Sequence, residues 1–143
     1  MPRFRFAFLA VPLVLSAQIA CAQQSDTGGH IAVELNAAES SAEACTLSFM
    51  ITNGMKTPVD KLVYEVALFD KAGQVSRLTL FDFGTLPPER PRVRQFAVPQ
   101  ISCDDLGRVL FNGASTCEGD GIAPDACETG LRPSSRADIE VLG

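Results

Sequence analysis

Apolar residues recur at every second position along much of this chain, most clearly in Leu62–Phe83, LVYEVALFDKAGQVSRLTLFDF. Leu62, Tyr64, Val66 and Leu68 fall on one side of a first arm, and Val75, Thr79, Phe81 and Phe83 on one side of a second. A period of two is what a pleated strand needs to turn one apolar face to a core. Between the arms, Asp70-Lys71-Ala72-Gly73 places an Asp that accepts from its own downstream backbone and a Gly for the positive-φ position that closes such a turn. The stretch therefore predicts a β-hairpin.

The same alternation predicts further strands. His30–Asn36 sets Ile31, Val33 and Leu35 on one face, and Cys45–Thr52 sets Cys45, Leu47, Phe49 and Ile51 on one face, so Cys45 points inward. Ala37–Ala44 is small and acidic and reads as a connection or a helical turn. Asn53-Gly54 and Pro58 mark a loop to about Asp60, and Leu86-Pro87-Pro88 a stiff bend. Arg92–Val98 reads as a strand whose phase slips between Val93 and Phe96, which predicts a bulge near Arg94 or Gln95. Arg108–Asn112 and Ile139–Leu142 give two short strands, and the turn-rich, acidic stretch 113–136 between them reads as a loop holding two cysteines. The expected fold is all-β: an immunoglobulin-like antiparallel β-sandwich of about seven strands.

Residues 1–22 stand apart from that pattern. Arg3 and Arg5 precede an apolar run of ten residues, Phe6–Leu15, and Ala20-Cys21-Ala22 offers a small-x-small cleavage site. A spanning helix needs roughly 20 apolar residues, so the run reads as a cleaved signal peptide rather than an anchor. With no adjacent Arg pair, the general secretory route is expected. Cleavage then leaves a loose leader over 23–29, one domain over 30–143, and no transmembrane anchor in the mature chain. A competing reading lipidates Cys21, but Gln18 stands where a lipoprotein signal has Leu. The expected location is the periplasm or the extracellular space.

Both readings leave Cys45, Cys103, Cys117 and Cys127, an even set in an exported chain, which favours two disulfides. No Cys-x-x-Cys spacing is present to favour zinc or thioredoxin-like chemistry. If strands alternate in direction, Cys45 at the start of the second strand and Cys103 just before the sixth lie at one end of the sandwich. Cys117 and Cys127 bracket the loop before the last strand. Cys45–Cys103 with Cys117–Cys127 is therefore preferred over the two other connectivities.

Removing 22 of 143 residues leaves 121, enough for one domain that hides roughly two-thirds of its unfolded surface. Arg3 and Arg5 leave with the signal, so ten basic residues face seventeen acidic ones, a net charge of −7. That balance disfavours sequence-independent nucleic-acid binding and attachment to anionic lipid.

Leu47–Phe49 with Asn53, then Val66–Asp70 with Gly73-Gln74-Val75, then the Phe81–Pro88 bend resemble small secreted bacterial sandwich domains. In those, an apolar-aromatic-Asp step ends a strand and turns through a Gly into the next. Ala67-Leu68-Phe69-Asp70 stands at that place here, and the stretch 45–98 is similar to FxLYD-type immunoglobulin-like domains. The resemblance carries no catalytic motif; it implies the fold and no activity.

Few groups offer chemistry. Asp82-Phe83-Gly84 spells the magnesium-binding triplet of protein kinases, but the glycine-rich loop, strand lysine and catalytic loop are missing, so it reads as a strand end. His30 is the single histidine, beside Gly28-Gly29, and no Gly-x-Ser-x-Gly elbow accompanies it, so it reads as a solvent-facing tail residue. Glu118, Asp120, Asp125 and Glu128 cluster between two cysteines and are weak candidates for calcium, without EF-hand spacing. Arg90, Arg92 and Arg94 form a basic stripe that either guards an edge strand or grips an acidic partner. No cofactor is expected. The expected function is an exported, non-catalytic binding or accessory module of the cell envelope with a protein partner. A small calcium-dependent protein or enzyme centred on 118–128, and a structural envelope component, are the alternatives.

Overall fold

The computed structural model describes residues 29–143. The expected signal peptide over 1–22, with Cys21, and the expected leader up to residue 28 lie outside the described residues. Eight strands form two four-stranded sheets: β1 (Ile31–Ser40), β2 (Ala44–Asn53), β3 (Val59–Asp70), β4 (Val75–Leu86), β5 (Arg92–Pro99), β6 (Leu106–Glu118), β7 (Arg132–Ser135) and β8 (Glu140–Leu142). One sheet has the order β5-β2-β1-β7, the other β4-β3-β6-β8. The all-β, two-sheet sandwich read from the alternation is present, and all seven predicted strands are in it.

The inward faces are the predicted ones in β1, β2 and the first arm of the hairpin: Ile31, Val33 and Leu35, then Cys45, Leu47, Phe49 and Ile51, then Leu62, Tyr64, Val66 and Leu68 are all buried. Phe49 sits at the centre, its ring 5.7–6.2 Å from those of Phe81, Phe83, Phe96 and Phe111. Tilted and edge-on contacts of this kind add to the area these rings remove from water. Asp70 and Gly73 close the hairpin as expected. The Asp70 Oδ1 accepts from Gln74 N–H at 2.9 Å, and Gly73 has φ 83°.

Several expectations are corrected. Strand β1 does not stop at Asn36: a bulge between Leu35 and Ala37 absorbs the change of phase and pairing continues to Ser40 opposite Cys45. The stretch 37–44 is thus mostly strand. Conversely, β5 has no bulge; its register with β2 is continuous from Arg92 opposite Ile51 to Pro99 opposite Ala44. The apparent slip arises because Val93 points to solvent, 61% exposed, while Arg92, Arg94, Phe96 and Val98 face inward. Val75 also leaves the face assigned to it. A bulge at Ser76 sets Arg77 opposite Leu68 but Val75 opposite the outward Phe69, and Val75 is 57% exposed.

The loop predicted over 113–136 is largely strand. Gly113–Glu118 continue β6 alongside β3, and Arg132–Ser135 are β7. The segment from β7 to β8 pairs first with β1 and then with β6, both in parallel. One chain segment, held in one direction, crosses from the first sheet to the second, so the sandwich departs from antiparallel there. The crossing ties the two sheets along that side.

Both disulfides have the preferred connectivity, Cys45–Cys103 and Cys117–Cys127. Such bridges form in oxidising compartments. No helix among the described residues is long and apolar enough to cross a membrane.

Candidate functional site: the open seam between β4 and β5

Opposite the crossing segment, the sandwich ends on two edge strands, β4 of one sheet and β5 of the other. No backbone ladder joins them, so side chains must close the gap. Arg77 of β4 donates through Nη1 to the Pro99 carbonyl at 2.7 Å, and Arg94 of β5 donates through Nε to the Phe83 carbonyl at 2.9 Å. The Phe81 and Phe96 rings also meet across the seam, stacked at 4.2 Å and 6°. The two straps thus run in opposite directions, each guanidinium capping a carbonyl on the facing strand.

Sequence placed these groups there. Alternation from Arg92 to Val98 sends the arginines to the same side as Phe96. Arg77 shares the parity of Thr79 and Phe81 and stands opposite the inward Leu68, which puts it on the inward face at the rim. A groove of about 240 Å³ follows the seam, lined among others by Arg77, Leu80, Phe81, Phe96 and Pro99. Leu78 and Leu80, on the outer face of β4, stay 61% and 59% exposed.

The predicted arginine stripe is only partly one surface. Arg92 and Arg94 share the inward face of β5, whereas Arg90 lies in the turn before that strand and is exposed. Arg94 is a structural strap as well as a cation. A single-face reading of the hairpin does not mark Arg77, Leu78 and Leu80; the readable sign of an apolar outer face is that apolar residues occur at both parities between Val75 and Phe83.

The acidic candidates are not gathered around a point. Glu118 ends β6, and Asp120 and Asp125 are exposed on separate turns. Glu128 is exposed, and its Oε1 accepts from Ala114 N–H on β6 at 2.7 Å. Among the described residues, no group of three His, Cys, Asp or Glu side chains is placed to hold a metal ion. Asp82 accepts from Gly84 N–H at 2.8 Å where the register with β3 shifts, and Gly84 has φ 66°. The triplet is therefore a bulge within β4, which continues to Leu86, rather than a strand end.

Residues 119–131 are instead clamped to the body. The Tyr64 hydroxyl, buried, donates to the Cys127 carbonyl at 2.5 Å. Burial, and secondarily the Glu128 charge, push the Tyr64 phenol well above its ordinary range. His30 is not a free tail residue: its Nδ1 donates to the Thr129 carbonyl at 3.1 Å. Its ring also covers Gly130, where φ is 68° and a Cβ would meet Nδ1 at 2.5 Å. These pairings lie far apart in sequence, so no local motif announces them.

No family model matches the chain, and no curated protein does either. Among solved structures, that of IrmA from Escherichia coli is similar, with a TM-score of 0.59 at 16% sequence identity, over 73% of this chain and 90% of that chain. At that identity the likeness concerns the fold alone.

Proposed function

We propose that the chain is an exported, non-catalytic binding module whose contact surface is the β4–β5 seam. The observation that carries this reading is the asymmetry of the sandwich. One side is tied by the β7–β8 crossing segment, while the other exposes two edge strands and two leucines and holds the half-buried Arg77, Arg92 and Arg94. Edge strands left unpaired and uncovered are a template for pairing with another chain. The groups that would suit catalysis are engaged elsewhere: His30 on the Thr129 carbonyl, Tyr64 on the Cys127 carbonyl, Glu128 on the Ala114 amide. The signal-like start and the four cysteines in two bridges support a periplasmic or extracellular setting.

Co-purification from envelope extracts tests the assignment. Leu78→Lys with Leu80→Lys, at exposed positions, is expected to abolish specific associations while leaving the melting temperature within a few degrees. Asp120→Ala with Asp125→Ala is expected to leave them intact. The opposite pattern moves the contact surface to the 119–131 turns and overturns the reading.

A further inference from the structure

Resting on that reading, we infer that the seam takes an extended segment of a partner protein, apolar and acidic at alternate positions, laid along β4 as an added strand. Strand β4 is paired with β3 on one side only, so a row of its N–H and C=O groups has no ladder partner. Its outer face already carries the first member of an apolar row. Leu78 lies opposite Ala67, Ala67 opposite Leu110, and Leu110 opposite Leu142 on β8. An added strand extends that row by one, with apolar side chains beside Leu78 and Leu80.

Alternate side chains of the added strand point the other way, into the seam. There they meet Arg77 and Arg94. Strands β4 and β5 together carry three arginines and a single carboxylate, Asp82, which is exposed and accepts from Gly84 N–H. Arg77 uses Nη1 on Pro99, and Arg94 uses Nε and Nη1 on Phe83 and Val93. A guanidinium has five N–H donors in a planar fork, which leaves donors for an incoming carboxylate. The groove, about 240 Å³, is smaller than the roughly 300–1,000 Å³ of drug-sized ligand sites and suits single side chains of a strand. A second copy of this chain fits less well, because its own Arg77 would be brought into a seam that already holds two guanidiniums.

The test uses labelled decapeptides that alternate Val with Glu, Val with Ser or Val with Lys, titrated against the mature protein by fluorescence anisotropy. The Val/Glu peptide is expected to bind at least about tenfold more tightly than the other two. Amide hydrogen exchange is expected to slow in residues 75–82. Arg77→Glu, which also removes a strap, is expected to reverse the preference towards Val/Lys. Leu80→Lys, at an exposed site, is expected to weaken Val/Glu binding at least about tenfold without loss of fold. The proposal is overturned by no Val/Glu binding below about 1 mM. Equal binding of Val/Lys, protection confined to other strands, or a stable homodimer that Leu80→Lys dissolves would each overturn it too. If the peptides fail while Leu78→Lys with Leu80→Lys still loses its envelope associations, the seam remains the contact surface and only the acidic strand is wrong.

Discussion

Tyr64 is the single tyrosine of a chain without tryptophan, so its ionisation can be followed by absorbance with no background. Burial holds its phenol neutral in the fold, whereas in the unfolded chain it ionises near pH 10. Above that pH the unfolded state binds fewer protons than the native one, so the stabilisation, complete below about pH 10, is lost as pH rises towards the folded value. Stability is expected to fall steeply above about pH 10, with tyrosinate appearing only as the protein unfolds. Tyr64→Phe is expected to cost about 1 kcal/mol at neutral pH and to flatten that alkaline slope. Urea titrations at neutral and alkaline pH check both, and a native-state tyrosinate signal near pH 10 would contradict the assignment. The hairpin pattern already showed Tyr64 to face inward. That its hydroxyl reaches Cys127, 63 residues on, was not readable, because such a bond depends on tertiary placement alone. Asn53 is a similar case. It reads as a turn residue, yet it is fully buried, donating to Thr57 and Leu86 carbonyls and accepting from Met55 N–H, and so ties two connections together.

At the scale of elements, legibility followed how strongly one face is buried. Strands β2 and β3 have a core on one side and solvent or neighbours on the other, and their alternation gave their faces and the inward Cys45. Strands β4 and β5 are edges, where exposure blurs the contrast. Val93 on the solvent side therefore mimics a slipped phase, and Leu78 and Leu80 break the single-face pattern of β4. Strand β7, Arg132–Ser135, has a Pro and polar residues and pairs in parallel along the edge of the first sheet, so nothing in its composition marks it as a strand. The two disulfides separate by the length of loop they close. Replacing Cys45 and Cys103, 58 residues apart, by Ala is expected to cost up to about 4 kcal/mol. Replacing Cys117 and Cys127, 10 apart, is expected to cost at most about 3 kcal/mol and to leave the β6–β7 turns folded on their Tyr64, His30 and Glu128 contacts. Denaturant midpoints of the two paired variants check the order. A larger loss from the shorter bridge would contradict it.

The whole molecule is a sandwich closed on one side by backbone and on the other by side chains. The crossing segment from Arg132 to Leu142 pairs with both sheets, and Arg136 adds a 2.9 Å ion pair to Glu34 of β1. Across the seam, two arginine straps and one stacked Phe pair stand where backbone pairing would otherwise be. Side-chain closure leaves edge backbone and exposed leucines open to another chain, and fold class alone gave no hint of which side that would be. The acidic turns bracketed by cysteines are bound to the body through Tyr64, His30 and Glu128. The most direct measurement places a photo-crosslinking amino acid at Leu80 or at Asp120 and identifies adducts formed in the native envelope. A contact surface at the seam predicts specific protein adducts from Leu80 and none from Asp120. Adducts from Asp120 with Leu80 silent would contradict it.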